Sequence, residues 1–189
     1  MEKTVPASAA DPALRARTLV LVGMMGAGKS SVGKRLAQAL NLPFRDADEE
    51  IEKAAGLTVS DIFALRGEAE FREGERRVIA RLLDEPPHVL ATGGGAFVNP
   101  ETRALVKDKA VSIWLRADPE VLARRVGRKD NRPLLRGKDA RQVLTELLAA
   151  REPAYRQADL IVESNDGPHH HTVDAILAGL KGRLEGDGA

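Results

Sequence analysis

Thr18-Leu19-Val20-Leu21-Val22-Gly23-Met24-Met25-Gly26-Ala27-Gly28-Lys29-Ser30-Ser31 is the stretch that decides the fold. It opens on an apolar run with the composition of a buried strand and closes on a glycine-rich turn ended by Lys29-Ser30. Gly23-x-x-x-x-Gly28-Lys29-Ser30 fits the phosphate-loop pattern, with a strand before it and a helix after it. The physical logic of the pattern is specific. Glycines let the backbone take positive φ, so that successive N–H groups turn inward toward phosphate oxygens. The N-terminus of the following helix adds its positive dipole end. Lys29 would place a full charge on the β and γ phosphates of a bound triphosphate. The Ser30 hydroxyl is a hard oxygen suited to Mg²⁺. The motif points to a nucleoside triphosphate but not to a reaction, because switch GTPases, ATPases and kinases share it.

Working outward, the rest of the chain reads as alternating strands and helices. A helix is expected from Lys29 to about Leu40, and a short strand from Phe44 runs toward Asp46-Ala47-Asp48. Helical patterns follow at about 49–55, 60–66 and 68–84. Strands are expected at His88–Ala91, Val111–Leu115 and Leu160–Val162, with helices at about 100–107, 118–126, 139–157 and 171–184. Short apolar strands separated by helices predict an α/β fold with an open parallel sheet covered on both faces. At 189 residues the chain fits one domain. Residues 1–17, rich in Ala, Pro and charge, are expected to form a flexible extension, 18–184 the domain and 185–189 a flexible tail.

Bulk composition excludes several classes. Net charge is +1, which gives no reason to expect nucleic acid or an anionic membrane as partner. There is no cysteine, so disulfide and thiol chemistry are excluded. No apolar run reaches the roughly 18 residues of a membrane span, and the start of the chain has no signal-like apolar segment. A cytoplasmic location is expected. Aromatic residues make up only 3%, so the core must be aliphatic.

Candidate acceptor-side residues come next. Asp46 and Asp48 stand at the end of the second strand, where an i, i+2 pair on a strand would point the same way into the crevice. One carboxylate could support Mg²⁺ through water and the other could receive a hydroxyl proton. Asp48 could instead cap a helix beginning at Glu49. Arg72 and Arg151, taken alone, read as solvated helix-surface charges. Gly93-Gly94-Gly95 strips side chains from the end of the third strand, which lets a small molecule lie against backbone. Between Arg124 and Arg141, eight basic residues face two acidic ones. Around Arg132-Pro133-Leu134-Leu135, this stretch has the chemistry of a mobile lid that would bring an arginine to the transferring phosphoryl group and exclude water. His169-His170-His171 diverge around a helix start and read as structural rather than metal-binding.

Together these residues resemble the shikimate kinase family from about Thr18 to Leu184. The more specific part of the likeness is Arg72-x-x-Glu75 followed by Val89-Leu90-Ala91-Thr92-Gly93-Gly94-Gly95-Ala96-Phe97. Asp46-x-Asp48, Asp61-Ile62-Phe63, Arg132-Pro133-Leu134-Leu135 and Arg151-x-Pro153-x-Tyr155 match as well. The resemblance implies a three-layer α/β/α P-loop kinase fold with a five-stranded parallel sheet and a lid at about 124–138. It implies transfer of the ATP γ-phosphate to the 3-hydroxyl of shikimate, in the route to chorismate and the aromatic amino acids, by a monomeric enzyme. Asp48 would bind the ring hydroxyls and act as base, with Lys29 and Arg132 as the other catalytic residues. Arg72 and Arg151 would clamp the carboxylate. Gly93, Gly94 and Gly95 would contact the substrate by backbone. Ser30 would hold Mg²⁺, supported by Asp46 through water. Gly26, Ala27, Gly28, Lys29, Ser30 and Ser31 would bind the ATP phosphates, and Arg125 would lie against adenine. At Ser164-Asn165-Asp166-Gly167-Pro168 the chain has Asp166-Gly167 where some relatives carry an arginine. Competing readings are a gluconate kinase-like enzyme, a nucleoside monophosphate kinase, and a non-catalytic nucleotide-binding module. The presence together of Lys29, Ser30, Asp48 and Arg132 argues against the last.

Overall fold

The computed structural model describes residues 11–127 and 139–186. Five strands form one sheet: β1 (Thr18–Val22), β2 (Phe44–Asp46), β3 (Val89–Ala91), β4 (Ala110–Arg116) and β5 (Leu160–Glu163). They pair in the order β2-β3-β1-β4-β5, and every pairing is parallel. All five residues of β1 are buried, which is why the Thr18–Val22 run does not alternate. Helices on both faces supply the crossovers: α1 (Lys29–Leu40), α2 (Ala47–Ala55), α3 (Val59–Leu83), α4 (Pro100–Lys109), α5 (Pro119–Val126), α6 (Ala140–Tyr155) and α7 (His169–Gly186).

Each helix start has a local cause. Thr58, Asn99, Asp118 and Asp139 cap α3, α4, α5 and α6 by accepting backbone N–H groups on their side chains. Pro100 and Pro119 occupy first-turn positions, where a missing N–H costs nothing. The core is aliphatic on either side of the sheet, with Leu19, Leu21, Leu36, Leu40, Ile79, Leu82, Leu90, Ile113 and Leu115 fully buried.

The break expected between the helices at 60–66 and 68–84 is there: Gly67, at φ 83° and ψ 172°, kinks α3 into two helical segments. Two boundaries differ from the sequence reading. The second strand stops at Asp46, and α2 begins at Ala47 rather than Glu49. Of the residues assigned to an N-terminal extension, 1–10 lie outside the described residues. Pro12–Arg15 form a 3-10 helix whose Leu14 is buried in the core, and the Arg17 guanidinium donates to the Asp108 carbonyl at 2.8 Å.

Candidate active site

β1 runs in the middle of the sheet, so the loop that follows it opens at the centre of the sheet's carboxyl edge, where ligands of open α/β sheets bind. Gly23, Gly26 and Gly28 all have positive φ, at 140°, 81° and 92°. Gly28 is the N-cap of α1 and, being glycine, supplies no side-chain cap to the first N–H groups of that helix. A helix end left open in this way is an anion site. Lys29 Nζ folds back across the loop and donates to the carbonyls of Gly23 at 2.7 Å and Met24 at 2.8 Å. Ser30 Oγ donates to Asp46 Oδ2 at 2.7 Å. The other oxygen of Asp46 accepts from the backbone N–H groups of Asp48 at 3.0 Å and Glu49 at 3.5 Å. Asp46 is therefore the cap of α2, and Asp48 sits within its first turn. The strand-alternation argument for the pair is corrected: both carboxylates line the crevice, but Asp48 reaches it from a helix.

The acceptor side is built around Gly93-Gly94-Gly95, and each glycine leaves room for a different side chain. A Cβ on Gly93 would stand 3.0 Å from Glu75 Oε2 and 3.2 Å from Asp48 Oδ1. A Cβ on Gly94 would stand 2.9 Å from Arg151 Nη1. On Gly95 it would meet Arg72 Nη1 and Nη2 at 2.5 Å. Two guanidiniums and two carboxylates thus converge on bare backbone at the end of β3. Arg72 is not a solvated surface charge. It pairs with Glu75 Oε1 at 2.9 Å and Glu68 at 3.5 Å, and only 26% of its side chain is exposed.

Two residues that the sequence reading quoted without a role complete this side. Glu75 is buried, and among the described residues its Oε2 accepts no hydrogen bond. Burial pushes the Glu75 carboxyl above the usual carboxylate range; Arg72 opposes the shift and the neighbouring Asp48 charge adds to it. Tyr155, at the end of α6, donates its hydroxyl to the Gly94 carbonyl and lies 3.7 Å from Met24 Sδ in the phosphate loop. Arg151 Nη1 lies 3.9 Å from the same sulfur. One turn of α6 therefore holds the acceptor loop and the phosphate loop together. Burial pushes the Tyr155 phenol up, so it keeps the proton it donates.

The phosphate loop, Asp46, Asp48, Gly93 and Gly94 line one crevice of about 490 Å³, which at its far end reaches Arg125, Asp166, Gly167 and His169. Arg125 Nη1 donates to the carbonyl of Gly26 at 3.1 Å and to Ser164 Oγ at 3.2 Å, and Nη2 donates to the Asn165 carbonyl. Ser164 Oγ donates to the Ala27 carbonyl at 2.7 Å. The loop after β5 is thereby tied to the phosphate loop. Arg132 lies outside the described residues, as does the part of the expected lid over 128–138. Among the described residues no group of three or more His, Cys, Asp or Glu could hold a metal ion, and no helix is long and apolar enough to cross a membrane.

The family model described as shikimate kinase matches residues 25–181. A shikimate kinase of Caulobacter vibrioides is 70% identical over 168 residues, which cover 89% of this chain and 84% of that protein. One from Bradyrhizobium diazoefficiens is 56% identical over 177 residues, 94% of this chain and 86% of the relative. Among solved structures, a shikimate kinase from Acinetobacter baumannii in complex with shikimate superposes with a TM-score of 0.87 at 37% identity, covering 91% of this chain and 97% of that one.

Proposed function

This chain belongs to the shikimate kinase family and is an ATP-dependent phosphotransferase with an alcohol acceptor, and from that premise we propose how its crevice moves the γ-phosphoryl group to the 3-hydroxyl of shikimate. The observation that carries the reading is the convergence of Arg72, Arg151 and Asp48 on three successive glycines beside the phosphate loop. Shikimate is a small carboxylate with ring hydroxyls. Guanidinium donors match the two oxygens of its carboxylate, and Asp48 accepts a hydroxyl. Gly93, Gly94 and Gly95 let the ring approach the backbone, and Tyr155 fixes the Gly94 carbonyl away from it.

In the transfer, the 3-hydroxyl oxygen attacks the γ-phosphorus in line as its proton passes to Asp48. The bond from the γ-phosphorus to the β,γ-bridging oxygen breaks, and ADP leaves with that oxygen. Lys29 exchanges the Gly23 and Met24 carbonyls for β and γ phosphate oxygens. The N–H groups from Gly26 to Ser31, Ala27 included, hold the remaining charge, and Arg125 stands on the nucleoside side. Catalysis is then mostly positioning and charge stabilisation. Ser30 Oγ and Asp46 Oδ2, adjacent hard oxygens 2.7 Å apart, would hold Mg²⁺, Asp46 through water, and the ion would supply screening of phosphate charge. We assign to Arg132 contact with the transferring phosphoryl group, on the family likeness of Arg132-Pro133-Leu134-Leu135. We place the enzyme in the cytoplasm as a monomer, on the family likeness.

The test is ADP release from Mg-ATP with shikimate, gluconate, nucleoside monophosphates and water as alternative acceptors. Saturable turnover with shikimate alone is expected. Turnover with gluconate or a nucleotide in its place would overturn the arginine clamp.

A further inference from the structure

Arg103, on α4, does not line the crevice. Its Nη1 donates to the carbonyls of Phe97 and Val98, each at 3.0 Å, and its Nε donates to Gln157 Oε1 at 3.2 Å. Phe97 and Val98 end the 3-10 turn Ala96–Val98 that follows the three glycines, and Gln157 stands just beyond the end of α6. These contacts close a ring. It runs from Gly94 along the backbone to Val98, across the Arg103 guanidinium to Gln157, back along the chain to Tyr155, and through the Tyr155 hydroxyl to the Gly94 carbonyl. We infer that Arg103 is a positioning residue of this enzyme: from outside the crevice it holds the Gly93–Gly95 backbone in register with the Arg72 and Arg151 guanidiniums that receive the carboxylate of the acceptor.

Three observations set Arg103 apart from an ordinary surface charge. First, its hydrogen bonds among the described residues go to two backbone carbonyls and one amide oxygen, and to no carboxylate. Such bonds are charge-assisted, and the planar fork of a guanidinium can serve two segments at once. Second, the turn that it pins is continuous with the glycine loop. The Gly93 carbonyl accepts the Ala96 N–H and the Gly95 carbonyl accepts the Val98 N–H, both at 3.2 Å, so a shift at Val98 passes to Gly95. Third, the loop has no slack toward its guanidiniums. A Cβ on Gly95 would meet Arg72 at 2.5 Å, and one on Gly94 would stand 2.9 Å from Arg151 Nη1. A displacement of about 0.5 Å is enough to take such groups out of productive geometry. The Gln157 arm adds to this control. Gln157 donates its Nε2 to the Pro153 carbonyl at 3.4 Å, so Arg103 is tied to the same helix that carries Arg151.

The inference rests on shikimate being the acceptor, and steady-state kinetics of the full chain, with each substrate varied in turn, separates the two. Arg103→Met keeps the aliphatic stem and removes the fork. It should raise KM for shikimate at least about fivefold, part of what a charge-assisted hydrogen bond can carry, and leave KM for ATP within about twofold of wild type. Arg103→Lys, which keeps a donor for the carbonyls without the second arm, should recover part of that loss. Gln157 is exposed, so Gln157→Ala leaves the core untouched, and it should raise KM for shikimate at least about twofold. The double variant should be no worse than Arg103→Met alone, because both changes cut one ring. An unchanged KM for shikimate in Arg103→Met, an equal rise in both KM values, no recovery with Lys, or multiplied losses in the double variant would each overturn the assignment while leaving shikimate as the acceptor. If Arg103→Met does not fold, an unchanged KM for shikimate in Gln157→Ala overturns it instead. Absence of saturable turnover of shikimate by the wild-type protein would remove the acceptor reading and this one with it.

Discussion

Asp48, the base in the proposed transfer, is positioned by its neighbour two residues back. The Asp46 carboxylate caps α2 by accepting the Asp48 N–H, so the backbone that carries the proposed base is fixed by the residue that would also support the metal. Asp48→Asn keeps the shape and removes the proton acceptor. Turnover should fall by about 10² to 10⁴ with ATP affinity nearly unchanged, measured by steady-state kinetics and nucleotide titration. Gly95 offers a separate test at the same scale. A methyl group there would occupy the place of the Arg72 guanidinium, 2.5 Å from two of its nitrogens. Arg72 is held by Glu75 and cannot swing away without losing that pair. Gly95→Ala should raise KM for shikimate at least about tenfold, with a smaller effect on KM for ATP. A variant with both constants unchanged would mean that Arg72 does not touch the substrate.

Among the elements, α3 and α6 do the most to assemble the site. α3 brings Arg72 and Glu75 onto one face, three residues apart, and buries the second beneath the first. The buried carboxyl has a consequence for stability. Its native pKa lies above the ordinary value of 4.5, so below pH 4.5 the proton is bound in both states and Glu75 contributes its full stabilisation. As pH rises from there through the native value, the unfolded chain has released a proton that the native state keeps, and that contribution is lost. Compared with Glu75→Gln, wild type should therefore lose thermal stability as pH rises from 4.5, as followed by the melting temperatures of both proteins. Equal slopes would show that burial does not raise the Glu75 pKa. The elements themselves were mostly legible. β1, its loop and α1 follow from an apolar run, the glycine spacing and a helical period. The break at Gly67 was legible too, because a glycine takes positive φ at no steric cost. Asp48 looked like a strand residue because the capping reach of Asp46 does not show as periodicity. The burial of Glu75, the approach of Arg72 to Gly95 and the seat of His169 are contacts between distant segments, which residue spacing alone does not encode.

For the molecule as a whole, strand order matters most. With β1 central, the carboxyl ends of all five strands empty toward one crevice: the phosphate loop after β1, Asp48 after β2, the glycines after β3, Arg125 on the helix after β4 and His169 after β5. A ligand seated there braces the whole sheet edge and should raise stability by mass action. Saturating Mg-ADP, at about a hundred times its dissociation constant, should add about 2.7 kcal/mol and raise Tm by roughly 5–10 °C in a domain of this size. Lys29→Ala should show little of that rise by scanning fluorimetry, since its loop would no longer hold the phosphates. Trp114, the sole tryptophan, sits fully buried on β4 with its ring 5.6 Å from that of Tyr155. A Cβ on Gly23, at the mouth of the phosphate loop, would stand 3.4 Å from its Cδ1. One indole thus touches the start of the nucleotide loop and, through Tyr155 and the Gly94 carbonyl, the acceptor loop. The protein thus carries a candidate optical reporter: emission from a single, uniquely placed fluorophore, excited without any label, should shift as each substrate arrives.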